Sequence, residues 1–242
     1  MLRFLMLTLA VLAVAPTAMA ETVRVAVAAN FRTVLTALQP EFEAASGAKV
    51  QISAGSTGQL AAQIGNGAPF DVFLSADQIR PARLVADGLA VAKSQFTYAT
   101  GRLALLAPGV EIPQDGSIPD LGDLNRMSIA NPRTAPYGVA AMEVLDQLDI
   151  AGEQLVLAHN AGGVVAAVAS GAAPAGVTAL SLAKDRGQLP AWPIPAELHM
   201  PLHQDAVLLT TAAQNQAAIA FLDWLKGQDA QHIIRSHGYA LD

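Results

Sequence analysis

From Val23 to Asn66 the chain alternates between two hydrophobic periods, and that alternation limits the fold more than any other feature. Val23 to Ala28 is a small apolar run suited to a buried strand, and Thr33 to Ala45 sets Val34, Leu35, Leu38 and Phe42 at helical spacing. Lys49 to Ser53 returns to a strand and Gln59 to Asn66 to a helix. Strand, helix, strand and helix with short links make a parallel sheet wrapped by helices. Pro40 is expected to bend or interrupt the first helix and Gly47 to end it.

The pattern continues. Asp71 to Leu74 reads as a strand, Gln78 to Asp87 as a helix closed by Gly88, and Phe96 to Ala99 leads through Thr100-Gly101 to an apolar strand at Leu103 to Leu106. It then restarts, with strands at Ser128 to Ala130, Leu155 to Ala158 and Gly176 to Ala179. Helices are expected at Tyr137 to Leu148, Val164 to Ser170 and Ser181 to Arg186. A strand at Asp205 to Thr210 and a helix at Asn215 to Lys226 close the chain. The expected class is α/β, in two α/β lobes: residues 21–101 with 204–242, and residues 102–203. Crossings near Gly101 and His203-Gln204 would form a two-crossing hinge.

Composition narrows the function. Met1 to Ala20 has Arg3, an apolar run from Phe4 to Ala15 and Ala18-Met19-Ala20 before Glu21, which is the pattern of an export signal rather than a membrane span. Export to the periplasm is the expectation. With Cys 0, disulfides, thiolate metal sites and a lipid-anchoring cysteine are excluded. A net charge of −6 without a basic patch argues against nucleic acid or an anionic membrane as partner. The five histidines show no metal-ligand spacing, so no metal and no cofactor is expected.

Four loops follow strands and precede helices: Ala29-Asn30-Phe31, Ser56-Thr57-Gly58, Ala135-Pro136-Tyr137-Gly138 and His159-Asn160-Ala161-Gly162-Gly163. Their donors are the Asn30 amide, the Ser56 and Thr57 hydroxyls, and the N–H groups of Thr57, Tyr137 and Ala161. Such a site holds an anion by helix-terminal dipoles and hydrogen bonds, without formal positive charge. Only donors are offered, so a fully deprotonated tetrahedral oxyanion fits best; hydrogen phosphate would leave its O–H without an acceptor. Sulfate, molybdate and tungstate all qualify, and cavity size must separate them. Arg24, Arg32, Arg102 and Arg133 are the competing anion clamps, Arg133 being nearest to Tyr137. Asp71 and Asp77 are read as structural. No G-x-S-x-G elbow or nucleotide-binding glycine loop occurs, which leaves an exported hydrolase using Ser56 as a minor alternative.

These residues, with Gly67 to Asp77, Tyr98 to Gly101, Gln204 to Leu209 and Gly238-Tyr239, make the chain resemble the molybdate-binding periplasmic proteins of molybdenum ABC transporters. The resemblance covers essentially all of the chain after Ala20. It implies a type II periplasmic binding protein fold that holds molybdate or tungstate by neutral hydrogen bonds and hands it to an inner-membrane permease. The carried-over ligand positions are Asn30, Thr57, Tyr137 through its N–H and Ala161 through its N–H, with Ala29 and Ser56 as neighbours. Asn30-Phe31, together with Ala179 where another branch has a tyrosine, places the chain in the Asn-Phe branch. A monomer and no enzymatic activity are expected, with a binding protein for another oxyanion such as sulfate as the alternative.

Overall fold

The computed structural model describes residues 21–121, 124, 126–150, 154–185 and 189–241. The expected export segment Met1 to Ala20 lies outside the described residues, as does Arg186 at the end of an expected helix. The chain opens with β1 (Thr22–Ala28), α1 (Arg32–Ser46), β2 (Lys49–Gly55), α2 (Thr57–Gly65), β3 (Val72–Leu74), α3 (Ile79–Ala86) and β4 (Phe96–Gly101). Its middle holds β5 (Leu103–Leu106), β6 (Arg126–Ala130), α4 (Pro136–Gln147), β7 (Gln154–Ala158), α5 (Ala161–Ala169), β8 (Ala175–Ala179), α6 (Leu180–Asp185) and β9 (Ala191–Pro193). It closes with β10 (Leu202–Leu208), α7 (Gln216–Leu225) and α8 (Gln228–Ser236).

These strands form two five-stranded sheets, ordered β2-β1-β3-β10-β4 and β7-β6-β8-β5-β9. The expectation of parallel sheets is corrected: both are mixed. β1 runs parallel to β2 and β3, and β6 parallel to β7 and β8, each through a helical crossover. β10 is antiparallel to β3 and β4, and β5 to β8 and β9. The reason is connectivity. β4 leaves the first sheet and β10 returns to it, and strands that share a crossing point meet head to tail, with Leu202 opposite Gly101 and His203 opposite Thr100.

Pro40 does not interrupt α1, which runs unbroken from Arg32 to Ser46. Pro40 is exposed, so the Thr36 carbonyl that loses its N–H partner faces water, while buried Leu35, Leu38 and Phe42 hold the helix to the sheet. Gly47 ends it with φ 73°. The α2 and α5 helices start two and three residues earlier than their apolar periodicity indicates, at Thr57 and Ala161. Their first turns are polar or glycine-rich because they face the site rather than a core.

Each sheet has its own core. The first buries Val25, Leu35, Phe42 and Phe221, with Phe42 packed edge-on to Phe221 at 5.1 Å between centroids. The second buries Leu103, Met127, Ile129 and Trp192. Phe31 sits edge-on between Tyr98 at 4.8 Å and Tyr239 at 5.3 Å, and each such aromatic pair adds about 0.5–1.5 kcal/mol beyond area burial. Those contacts fix the turn at Ala29–Phe31 that follows β1.

Candidate functional site

The parallel strands deliver their carboxyl ends to one place, where open α/β sheets bind ligands. From the first sheet, β1 leads to Ala29 and Asn30, and β2 leads to Ser56 and Thr57. From the second, β6 leads to the Ala135–Tyr137 turn, and β7 leads to Asn160 and Ala161. All six expected positions, Ala29, Asn30, Ser56, Thr57, Tyr137 and Ala161, line one small cavity of about 10 Å³. Small residues, among them Ala28, Gly55, Ala76 and Ala135, complete the wall, and no lining residue carries formal charge.

Helix starts supply the donors. Thr57 and Ala161 are the first residues of α2 and α5, and Tyr137 follows Pro136 at the start of α4, so their N–H groups have no intrahelical carbonyl in reach. Asn160 caps α5: its Oδ1 accepts from the Gly163 N–H at 3.1 Å. The Thr57 hydroxyl accepts from the Ala76 N–H at 3.3 Å and keeps its own proton to donate. The Ser56 hydroxyl differs from every other. Among the described residues it is the one buried side-chain polar atom without a hydrogen-bond partner. A buried hydroxyl left unpaired costs about 1–3 kcal/mol, which marks its position as one built for something else.

One expected donor takes a different role. The Asn30 side-chain amide gives its hydrogens to Gln204 Oε1 at 2.9 Å and to the Tyr239 hydroxyl at 3.0 Å, so it is not free for a ligand. Asn30 still forms the cavity wall, in the turn that leads into α1. Sequence reasoning assigned the amide outward because its partners lie 174 and 209 residues away, beyond any local pattern.

None of the candidate arginine clamps reaches the cavity lining. Arg24 binds Asp71 through its guanidinium at 2.8 and 3.0 Å and its own N–H at 2.6 Å, tying β1 to the start of β3; that hydrogen bonding raises the Arg24 pKa. Arg102 and Arg133 are exposed. Arg32 lines a wider cavity of about 440 Å³ that shares Ala29 and Asn160 with the small one. Asp77 pairs with Arg80 and accepts from its N–H at 3.0 Å, capping α3. Among the described residues, no cluster of three His, Asp or Glu side chains gathers to hold a metal ion.

Sequence reasoning missed the groups that join the two sheets around the cavity. The Gly58 N–H donates to Thr134 O at 2.8 Å, an approach that would crowd any side chain, since a Cβ on Gly58 would lie 3.0 Å from the same oxygen. Behind the cavity, Gln204 Nε2 donates to the Tyr137 hydroxyl at 3.0 Å, and Ser181 Oγ donates to Asn30 O at 3.1 Å. The signal for Gln204 was its place at the expected crossing His203-Gln204; it lies within β10 and is fully buried.

Two mixed α/β sheets with a charge-free, donor-lined cavity between their strand ends define a solute-binding protein. The match to the bacterial extracellular solute-binding protein family over residues 23–240 agrees, and the chain belongs to that family. Within it, the kinship is with molybdate-binding proteins. The chain is 41% identical over 238 residues to the molybdate-binding protein ModA of Azotobacter vinelandii, covering 93% of this chain and 92% of that one. It is 40% identical over 237 residues to ModA of Rhodobacter capsulatus, covering 96% and 93%. The solved periplasmic molybdate-binding protein of Azotobacter vinelandii superposes with a TM-score of 0.82 at 36% identity, over 91% of this chain and 99% of that one. The expected type II periplasmic binding protein fold is therefore present.

Proposed function

We propose that this protein captures molybdate or tungstate in the periplasm and delivers it, as a monomer and without chemical turnover, to the membrane permease of an ABC importer. One observation carries the reading: the unpartnered Ser56 hydroxyl, in a wall where N-terminal turns of helices from both sheets present N–H groups and no charged residue intervenes. A bare dianion supplies acceptors to all of these donors at once, and a hydrogen bond to a charged acceptor contributes about 1.5–3 kcal/mol. Ser56 and Thr57 would bind through their hydroxyls, and Asn30, Thr57, Tyr137 and Ala161 through their N–H groups, with Ala29 packed beside them. The kinship with molybdate-binding proteins selects molybdate from the oxyanions that this donor set admits.

A volume of about 10 Å³ is room for roughly one water, so a tetrahedral oxyanion enters only by parting the walls. The two crossings, between β4 and β5 and between β9 and β10, are the places where such motion can occur. They divide the chain into lobes of residues 21–101 with 204–242, and residues 102–203. A hydrolytic role for Ser56 gains no support, because no base lies within hydrogen-bond distance of its Oγ.

The test is thermal unfolding with calorimetry on the mature protein, titrated with molybdate, tungstate, sulfate and phosphate near pH 8. Molybdate or tungstate at 100 times Kd should stabilise by about 2.7 kcal/mol and phosphate should not. Selective stabilisation by sulfate would replace the molybdate reading with the sulfate one. No stabilisation by any oxyanion would end both.

A further inference from the structure

The protein has three tyrosines, and all three meet at one buried spot behind the cavity. Gln204 is the centre of that spot. Its Oε1 accepts from Asn30 Nδ2 at 2.9 Å and lies 3.1 Å from the Tyr98 hydroxyl, while its Nε2 donates to the Tyr137 hydroxyl at 3.0 Å. The Tyr239 hydroxyl donates to Asn30 O at 2.9 Å and stands 3.1 Å from Ser181 Oγ, which also reaches Asn30 O at 3.1 Å. Tyr98, Gln204, Asn30 and Tyr239 belong to the side of the first sheet. Tyr137 on α4 and Ser181 on α6 come from the side of the second.

We propose that the Tyr137 hydroxyl, Gln204 and Ser181 are positioning residues for ligand capture, forming a buried polar latch that engages only when the two sheets close on the cavity. The proposal rests on the oxyanion reading above. Three features support it. First, the side-chain bonds that span the sheets are made by polar groups the apolar cores do not use: the Tyr137 ring packs in the second core, but its hydroxyl meets Gln204, and Ser181 Oγ meets Asn30 O and the Tyr239 hydroxyl. Second, the bonds of the Tyr137 hydroxyl and of Ser181 to this cluster exist only in the closed arrangement, whereas Tyr98, Asn30, Gln204 and Tyr239 also bond one another on their own side. When the halves separate, Gln204 Nε2 and the Tyr137 hydroxyl lose each other and must find water instead, so the latch exchanges protein bonds for solvent bonds at little net cost. An element balanced in this way can be tipped by the differential affinity of a small ligand.

Third, Tyr137 works at both places. Its N–H lies at the start of α4 on the cavity wall, and its hydroxyl, at the far end of the same side chain, engages Gln204. Asn30 does likewise, forming wall on one side and holding Gln204 and Tyr239 on the other. An anion that draws the Tyr137 N–H toward Ser56 and Thr57 therefore seats the Tyr137 hydroxyl on Gln204 in the same movement. The fit is close, since a Cβ on Gly101 would lie 2.2 Å from the Tyr137 oxygen and 2.7 Å from Gln204 Nε2. Burial, followed by the neighbouring Tyr239, holds the Tyr137 phenol well above its ordinary pKa, so the latch adds no charge next to a bound dianion.

Tyr137→Phe keeps the N–H and the ring and removes only the latch hydroxyl; Ser181→Ala removes the second crossing independently. With molybdate as the probe, calorimetry and stopped-flow displacement should show each variant binding roughly ten-fold more weakly. The loss should lie in the dissociation rate, with association within about two-fold of the parent, because the latch forms after encounter. A residue that merely supported the fold would instead lower the melting temperature and leave the dissociation rate alone. Parental dissociation rates in both variants, with the parent binding molybdate, would overturn the latch. Should the parent bind no oxyanion, the functional reading fails, and the latch is decided separately by small-angle scattering of the double variant. A larger radius of gyration than the parent's supports it, and an unchanged one overturns it.

Discussion

The two halves of the cavity wall are built differently. The first sheet contributes side chains as well as backbone: the Ser56 and Thr57 hydroxyls stand beside the N–H of Thr57. The second contributes chiefly backbone, the N–H groups of Tyr137 and Ala161: the amide of Asn160 also lines the wall but its oxygen is committed to capping α5, and at Ala161 the side chain is a single methyl. The difference teaches where sequence can vary without loss of function. A hydroxyl is lost when its residue is replaced, whereas an N–H survives every substitution except proline. Donors of the second half are therefore hidden from a search for chemically active residue types, and it is the helix starts that carry them.

That contrast can be broken most forcefully at Ala161. Ala161→Pro removes the N–H at the first position of α5, where proline is tolerated and where Asn160, at φ −159° and ψ 179°, already has the extended conformation that must precede it. The expected outcome is a loss of about 1.5–3 kcal/mol in molybdate affinity by calorimetry, with circular dichroism unchanged. Ala161→Gly, which keeps the N–H, should lose far less. Equal losses in the two variants would show that the second half does not bind through its backbone.

On the side-chain half, Ser56→Ala is expected to weaken molybdate binding by about ten-fold while leaving the melting temperature of the ligand-free protein unchanged or higher, because it removes a buried hydroxyl that has no partner. Thr57→Ala should lower both, since its hydroxyl also accepts from the Ala76 N–H. A fall in stability for Ser56→Ala would mean that its hydroxyl is structurally engaged and that the two halves are less different than they look.

A further test lies in alkali, where the halves act together. Burial raises the pKa of all three tyrosines, that of Tyr239 to about 12 from a usual 10.0. The folded protein thus favours the neutral phenols. Their contribution to stability is complete below pH 10.0 and declines above it, that of Tyr239 being lost as pH rises through about 12, because the unfolded chain releases those protons first. Urea unfolding at increasing pH should show the decline, and phenolate absorbance should appear only with unfolding. Phenolate signal from the folded protein near pH 10.0 would show that the cluster is open to solvent.

Much of this was legible in the sequence because it is local. The strand–helix rhythm, the positive-φ stop at Gly47 and the four dipolar loops depend on residues a few positions apart, and the loops do converge on one cavity. Longer-range features were not legible. Pro40 looked like a helix break because propensity knows nothing of the Phe42 packing that holds α1. The sheets looked parallel because the direction of β10 is set by where the chain returns, not by its own residues.

The sequence by itself determined which groups could meet an anion, since a donor's chemistry belongs to its residue and to the helix start that frees its N–H. Tertiary structure alone decided which of those donors remain free. Asn30 lost its amide hydrogens to Gln204 and Tyr239, and Ser56 kept its hydroxyl unpaired. The physical reason is that a hydrogen bond can be formed once per proton, and which acceptor comes within 3 Å is fixed by folding two distant stretches of chain against each other.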